Sequence, residues 1–413
     1  MPQHPTTPTE SPTTEQQIAQ ITALPEFTQA CEWLRTAEPK LRQWQTDLAR
    51  IPAPPFGEGA RGLWLADQFR QLALNDVHID EVGNVLATHP GHEGSYVAIS
   101  AHIDTVFPSG TPLDIRQEGP RLLGPGVSDN GAGVTAMLAI AAALQATALH
   151  PAQPILFLGN VGEEGEGDLR GMRHIFSQQK WQDSIACNLV LDGAGNDVIV
   201  AEALGSRRFE VTVRGPGGHS WSDYGLPNPI VILARAIDAF SRAAVPNDPK
   251  TSTNIGVIQG GTSVNSIPES GSMRVDIRSA SAAEIDRLEH SLRLAVDQSV
   301  EMEQEAQGAQ VMEEVSAEIV TIGDRPSGDL APTSQILRVV RAVDRHLNNS
   351  AHIQRASTDA NIPLSLGREA LAIGGGGRGG GAHTLQEWFD CTNREQGLQR
   401  ILLIALALTG LQE

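Results

Sequence analysis

Residues 96–104, with the sequence YVAISAHID, join a short apolar run to two polar side chains. The run 96–100 is typical of a buried strand in a parallel sheet, and His102 and Asp104 follow it at once. In an open α/β sheet, ligands gather beyond the carboxyl ends of the strands. We therefore expect His102 to lie at a functional edge of such a sheet.

The same arrangement recurs along the chain. Other apolar runs are followed by a histidine or a carboxylate, and one carboxylate stands just before a long Ala- and Leu-rich helix. Residues that lie far apart in sequence can thereby meet at one sheet edge. The apolar runs are 155–158, 189–191 and 371–373, the helix is expected over 131–149, and the side chains are Asp129, Glu164, Asp192 and His383.

Two histidines and three carboxylates form a donor set for two divalent metal ions. This set suits zinc, cobalt or manganese and disfavours copper or iron–sulfur chemistry. Asp129 is interpreted as a carboxylate bridging two ions ~3.5–4 Å apart, and Glu163, beside Glu164, as the general base. Asp104 is expected to accept the second ring N–H of His102. Taken singly, each residue has a simpler explanation, such as a helix cap for Asp129 or a solvated turn for the glutamates; the ordered set favours metal chemistry.

Composition narrows the function classes. The 413 residues include 49 acidic and 30 basic ones, and the net charge of −19 argues against a nucleic-acid partner. We expect no membrane span, because no apolar run approaches ~20 residues. The amino-terminal segment lacks the basic and apolar regions of a secretory signal. Three cysteines are too few for a disulfide framework, so a cytoplasmic location is expected.

The pattern also divides the chain. Alternating strands and helices predict an α/β domain with a mixed, mostly parallel sheet and flanking helices. A clean alternation at 208–213 (RFEVTV) and a capping box at 281–284 indicate a small α+β domain inserted into it. Residues 17–50 are expected to form two helices that are interrupted near Pro39. The expected boundaries are a disordered tail at 1–18, the catalytic domain at 19–205 and 320–413, and the inserted domain at 206–319.

These motifs resemble the co-catalytic zinc metallopeptidases that include glutamate carboxypeptidase, aminoacylase, succinyl-diaminopimelate desuccinylase and tripeptide aminopeptidase (peptidase T-like). The resemblance covers nearly the whole chain after its first residues, and the ordered set is highly specific. The stretches that carry it are SAHIDTVFP (100–108), GVSDNGAG (126–133), GNVGEEGEGDLRG (159–171), LVLDGAG (189–195), VRGPGGHSW (213–221), GGTSVNSIPES (260–270), MRVDIRS (273–279) and GGGAHTLQE (379–387).

The resemblance implies a metal-ligand set in which one carboxylate is shared by two ions, most often zinc. Glu163 is implied as general base and later as proton donor to the leaving amine, and Asp104 as the residue that orients one histidine. The implied ligands are Asp129 for both ions, His102 and Asp192 for one ion, and Glu164 and His383 for the other.

The resemblance also implies that the inserted domain forms a homodimer. His219 would then reach the active site of the partner subunit and stabilise the developing oxyanion. Asn265 and Arg278 would bind the carboxylate or the backbone of the substrate.

The expected activity is hydrolysis of an amide bond in a small peptide, first of all by a di- or tripeptide aminopeptidase. A deacylase of N-acyl amino acids is the alternative within the same family. Two other readings are a nucleotide-binding protein that uses GGGGRGGG (374–381), which leads to a histidine and lacks the ending of a P-loop, and a non-catalytic metal-binding relative.

Overall fold

The computed structural model describes residues 13–92, 94–307 and 315–412. They form two compact units. The large unit contains the described residues up to Glu202 and from Asp329 onwards, and the small unit is Ala203–Gly328.

The helices lie in both units. In chain order they are α1 (Thr14–Thr22), α2 (Pro25–Thr36), α3 (Glu38–Ala49), α4 (Gly59–Gln71), α5 (Gly131–Ala146), α6 (Arg170–Ser177), α7 (Gln179–Ser184), α8 (Pro229–Ser241), α9 (Ala282–Gln307), α10 (Gln335–His346), α11 (Asn361–Ser365) and α12 (Arg394–Thr409).

The strands build one sheet of nine strands and three smaller sheets. In chain order they are β1 (Asn75–Ile79), β2 (Val85–His89), β3 (Tyr96–His102), β4 (Arg116–Glu118), β5 (Arg121–Leu123), β6 (Ile155–Asn160), β7 (Ile185–Leu191), β8 (Val198–Ala203), β9 (Gly205–Arg214), β10 (Gly218–His219), β11 (Thr251–Gly260), β12 (Ser266–Ile267), β13 (Ser270–Ser279), β14 (Ser316–Arg325), β15 (Gly328–Asp329), β16 (His352–Ala356), β17 (Glu369–Ile373), β18 (Arg378–Gly380) and β19 (Trp388–Asp390).

The nine-stranded sheet has the order β1-β2-β6-β3-β7-β17-β8-β15, with β16 also paired to β8. Its centre, β6-β3-β7-β17, is parallel, whereas β1, β2 and β8 pair antiparallel with their neighbours. The expected fold class, a mixed sheet with flanking helices, is confirmed. The central strands therefore all end at one edge, where His102 lies opposite Asn160 in register.

Helix α5 packs against this sheet and contacts β3, β6 and β7. Residues 131–144 are all buried, as expected for a helix that is apolar on most faces. The side chain of Asn130 accepts a hydrogen bond from the backbone N–H of Gly133 at 3.0 Å and caps the helix. Asp129 is thereby placed one residue before the cap, at the same edge as the strand ends.

The small unit is a four-stranded antiparallel sheet, β11-β13-β9-β14, packed against α8 and α9. Phe209, Val211 and Val213 alternate along β9 and face the hydrophobic core, which explains the alternation in the sequence. The return to the α/β domain was expected after residue 319. It lies later because β14 (Ser316–Arg325) pairs with β9 as an edge strand of the small sheet.

The amino-terminal helices also differ from expectation. Helix α1 begins at Thr14 with a capping box formed by Thr13 and Gln16, so the predicted tail at 1–18 is wrong from residue 14 onwards. Residues 1–12 lie outside the described residues. Three helices form where two were expected, because Pro25 begins a further one. Pro39 lies in the first turn of α3, a position that proline tolerates.

Of the helices in the described parts of the chain, none combines the length and the apolar character that a membrane span requires. Cys31, Cys187 and Cys391 are all free thiols.

The large unit contains a buried ion pair whose loss should be costly. Arg400 on α12 donates to Asp344 on α10 from Nε to Oδ1 at 2.6 Å and from Nη2 to Oδ2 at 2.9 Å. Asp344→Asn keeps the shape but leaves a buried guanidinium uncompensated, so we expect a loss of about 3–5 kcal/mol in the free energy of unfolding. Urea unfolding followed by circular dichroism measures it. Glu15→Gln, which breaks an exposed pair with Arg345, is the control and should change stability far less.

Candidate metal centre

Three adjacent parallel strands deliver side chains to one place. Strand β3 ends at His102, β7 is followed at once by Asp192, and β6 leads within four residues to Glu163 and Glu164. All three strands are parallel neighbours, so their carboxyl ends coincide. His102 and Asp192, which are 90 positions apart in the sequence, thus lie close together.

The side chains form two ligand groups that share one carboxylate. In the first, Nε2 of His102 lies 3.2 Å from Oδ1 of Asp129 and 3.8 Å from Oδ1 of Asp192. In the second, Nε2 of His383 lies 3.1 Å from Oδ2 of Asp129 and 3.0 Å from Oε1 of Glu164. Asp129 therefore turns one oxygen to each group.

The donor atoms of each group lie within 4.8 Å of one another. Two ligands bound to one zinc ion at ~2.0–2.1 Å and a tetrahedral angle are roughly 3.3 Å apart, close to the distances here. Among the described residues, none donates a hydrogen bond of good geometry to the buried Oδ1 of Asp129. A buried oxygen without a donor is expected where a cation binds, so the residues fit two divalent ions.

The two histidines are strongly basic without metal. Hydrogen bonds to Asp129 and Glu164 raise the pKa of His383 to about 10. Burial acts to lower the pKa of His102, but Asp104, Asp129 and Asp192 outweigh it and raise that pKa well above its usual value. Burial likewise acts to raise the pKa of Asp129, but the two histidines hold it well below its ordinary range.

Asp104 is fully buried and contacts both His102 and the loop of Glu163 and Glu164. Nδ1 of His102 lies 3.2 Å from its backbone carbonyl and 3.6 Å from its Oδ1. Its two carboxylate oxygens accept hydrogen bonds from the backbone N–H groups of Glu163 at 3.0 Å and Glu164 at 2.8 Å. The proximity of Asp104 to His102 was expected from the sequence, whereas its hydrogen bonds with the loop of Glu163 and Glu164 were not.

Glu163 lies in one cluster with His102 and Glu164 and is buried with them. It precedes Glu164, a candidate ligand, in the loop after β6, and the backbone N–H groups of both residues donate to Asp104. This position, next to the ligands, is the one that a general base requires.

Buried charged residues near this site were missed, among them Glu387 and Arg61. Glu387 is 0% exposed, and its carboxylate accepts backbone N–H groups of the segment before α5; burial raises its pKa to about 7 against those hydrogen bonds. Arg61 is 2% exposed and donates to the carbonyl of Ile103 at 2.9 Å; burial lowers its pKa to about 10. In the sequence, only its place at the end of GGGAHTLQE pointed to a role for Glu387 in the site, and no motif pointed to Arg61.

The glycine-rich segment 374–381 packs closely against neighbouring backbone. A Cβ at Gly374 would lie 2.5 Å from the carbonyl oxygens of Ala194 and Gly195. The N–H groups of Gly375 and Gly376 donate to carbonyls of the loop after β7 at 2.9 and 3.1 Å. Because those N–H groups are already used, they cannot cradle a phosphate, which counts against the nucleotide-binding reading.

The three remaining predicted residues lie in the small unit. His219 and Asn265 are neighbours, because β10 pairs with β12 and the N–H of Ser220 donates to the carbonyl of Asn265 at 3.0 Å. Arg278 lies on the separate four-stranded sheet, where its Nε donates to Asp276 at 2.6 Å. Thus the structure brings the first two together within a ribbon and places Arg278 in an ion pair.

His219 has a defined tautomer in this ribbon. Its Nδ1 accepts hydrogen bonds from the backbone N–H groups of Trp221 at 3.2 Å and Ser222 at 3.4 Å. The neutral ring then carries its proton on Nε2. The exposed ring is therefore a hydrogen-bond donor towards solvent.

Two family matches cover much of the chain. Residues 84–208 match Peptidase family M28, and residues 202–301 match the Peptidase dimerisation domain. A probable carboxypeptidase of Ajellomyces capsulatus is 27% identical over 259 residues, which are 58% of this chain and 57% of that protein. The chain spans about half the length of the curated relatives it matches.

Solved structures agree on the fold. Aminopeptidase PepT from Bacillus cereus matches with a TM-score of 0.71 at 18% identity, over 90% of this chain and 98% of that one. A dinuclear metal-binding peptidase of the M20 family from Bacillus subtilis matches with a TM-score of 0.66 at 15% identity, over 91% and 99%. Together with the family matches, this confirms the resemblance to metallopeptidases that carry a dimerisation domain.

Metal binding at pH 7 should release protons. Both histidines are protonated in the metal-free protein, because their pKa values are raised, and a metal ligand must be neutral. We expect about two protons to be released for the pair of ions, and the apparent affinity to rise with pH. Calorimetric zinc titrations in buffers of different ionisation enthalpy measure the number. An observed enthalpy that does not depend on the buffer would contradict the protonated state.

Proposed function

We propose that this chain, which combines a region matching peptidase family M28 with a peptidase dimerisation domain, is a dinuclear metal-dependent exopeptidase acting on small peptides. The observation that carries the proposal is the carboxylate of Asp129, whose two oxygens face two separate ligand groups. A shared carboxylate with one histidine and one further carboxylate on each side is a two-metal donor set. Zinc is the first choice, and cobalt or manganese also suits these donors.

These distances support the proposed ligand assignment. His102 and Asp192 would complete the sphere of one ion, and Glu164 and His383 that of the other, with Asp129 shared. Bound there, two divalent ions supply the Lewis acidity that polarises a carbonyl and lowers the pKa of a water.

The protein itself moves the proton. The clustering of Glu163 with His102 and Glu164 supports a role in which its carboxylate takes a proton from the attacking water and returns it to the leaving amine. Asp104 holds the backbone of this loop through two hydrogen bonds. A dimer through the small unit would bring His219 of one subunit to the site of the other, and its Nε2–H would donate to the developing oxyanion. Asn265, next to it, and Arg278 are proposed to bind the substrate.

The substrate class rests on two kinds of likeness. Solved structures of similar fold include aminopeptidase PepT, so a di- or tripeptide aminopeptidase is proposed first. The curated relatives include probable carboxypeptidases, which makes cleavage from the other end the second candidate. A deacylase of N-acyl amino acids is the third.

Four compounds separate these activities: trialanine, N-acetyl-trialanine, trialanine amide and N-acetylalanine. An aminopeptidase cleaves trialanine and its amide but not the acetylated peptide. A carboxypeptidase cleaves trialanine and the acetylated peptide but not the amide, and a deacylase cleaves N-acetylalanine. Mass spectrometry of the zinc-loaded protein with a chelated control reads the result. No cleavage of any small peptide or acyl amino acid in a wider library would refute the proposal.

Removing the general base should abolish turnover without removing metal. We expect Glu163→Ala to lower kcat by about 10²–10⁴-fold, while the zinc content measured by atomic emission stays at two ions. Glu166→Ala, which changes an exposed residue of the same loop, is the matched control and should keep activity. Activity of Glu163→Ala within about tenfold of wild type would exclude this role.

The role of His219 across a dimer can be tested by complementation. His219→Ala should lower turnover without altering metal content. In an equal mixture with Glu163→Ala, half of the dimers are mixed and each holds one intact site, so roughly a quarter of wild-type activity should return. Purified mixed dimers that remain inactive would show that His219 does not act across the interface.

A further inference from the structure

Glu387 accepts hydrogen bonds from nearly all of the backbone N–H groups in the segment that ends at Asp129. Its Oε2 accepts the N–H of Gly126 at 2.7 Å, and its Oε1 accepts the N–H groups of Ser128 at 2.6 Å and Asp129 at 2.7 Å. Its backbone carbonyl accepts the N–H of Gly124 at 2.8 Å. Residues 124–129 include one proline and therefore five N–H groups, so four of the five donate to one residue.

This segment needs an outside acceptor. It lies between β5 and α5 and is neither helix nor strand, so it has no regular partner for its N–H groups. Ser128 and Gly126 are buried, and a buried N–H without an acceptor costs about 1–3 kcal/mol. A carboxylate is the acceptor best suited to three converging donors.

Glu387 also belongs to the turn that carries His383. The N–H of Glu387 donates to the carbonyl of Thr384 at 3.2 Å, and the N–H of Thr384 donates to that of Gly381 at 3.1 Å. The side chain of Thr384 also donates to Gly381, at 2.7 Å. This compact turn ties the position of His383 to that of Glu387, so the contact with the Asp129 segment links two ligands that lie 3.1 Å apart.

We propose that Glu387 is a positioning residue that sets the bridging carboxylate of Asp129 against His383 and so preorganises the two-metal centre. The inference rests on the proposed function, because it concerns the same metal site. The hydrogen bonds that Glu387 accepts from the Asp129 segment all come from backbone N–H groups. It acts through the backbone, as Asp104 does for the loop that carries Glu163 and Glu164.

Glu387→Gln is the sharpest variant because it keeps the shape. One of the two acceptor oxygens becomes an NH₂ group, which is a donor. This donor then faces either the N–H of Gly126 or the pair of N–H groups of Ser128 and Asp129. Glu387→Asp keeps the charge but is one methylene shorter, so it should recover part of the effect.

A matched control exists at the opposite end of the sheet. Glu369 begins β17, whose other end leads to the site, and its carboxylate also accepts two backbone N–H groups, those of Gln335 and Ile336, at 3.0 Å. Glu369→Gln therefore removes a comparable backbone acceptor without touching the metal ligands.

The full-length protein is titrated with cobalt(II) and followed by its visible absorption. We expect Glu387→Gln to bind cobalt 10–100-fold more weakly, as loss of an outer partner of metal ligands typically does, and to change the absorption spectrum. Glu387→Asp should lie between it and wild type, and Glu369→Gln should match wild type. Wild-type affinity and spectrum in Glu387→Gln would overturn the proposal.

If Glu387→Gln does not fold, Glu387→Asp decides alone: weaker cobalt binding supports the proposal, and wild-type binding overturns it. Cobalt binding is measured without substrate. A wild-type protein that binds cobalt but cleaves no peptide would therefore refute the exopeptidase function and leave the positioning role standing.

Discussion

The structure around the sheet edge depends on a single carboxylate, that of Asp129, which contacts a histidine on each side. Its Oδ1 lies 3.2 Å from His102 and its Oδ2 lies 3.1 Å from His383. Three carboxylates and two imidazoles in so small a space require positive charge to balance them. Without metal, the protonated histidines supply that charge, and two divalent ions bound between these groups would supply it instead. The candidate ligand atoms already lie within 4.8 Å of one another in the metal-free protein.

The fold supplies this geometry through backbone contacts. Parallel strands bring the carboxyl ends of β3, β6 and β7 together, and the candidate ligands lie at these ends or in the segments beyond them. Loops have no regular hydrogen-bond partners, and here buried carboxylates accept their N–H groups: Asp104 for the loop of Glu163 and Glu164, and Glu387 for the segment of Asp129. Arg61, buried nearby, interacts electrostatically with both acids. The cost of burying these charges is offset by the hydrogen bonds that they make.

The positions of the candidate ligands could be predicted because most of them follow an apolar run in the sequence, while Asp129 stands just before an apolar helix. Glu387 and Arg61 have no such signal, since their roles depend on loops that only the folded chain brings near. The same limit explains the errors in the fold. Residues 316–325 form an edge strand because β9 offers a partner, and a proline at residue 25 begins a helix as easily as it ends one. The pairing of Arg278 with Asp276 also depends on side-chain geometry that the spacing of a strand does not reveal.

Anomalous diffraction from a zinc-soaked crystal of the protein would show whether Asp129 bridges two ions. Two peaks ~3.5–4 Å apart are expected, with Asp129 between them, His102 and Asp192 beside one, and Glu164 and His383 beside the other. A single peak, or two peaks that do not share Asp129, would contradict this bridging role.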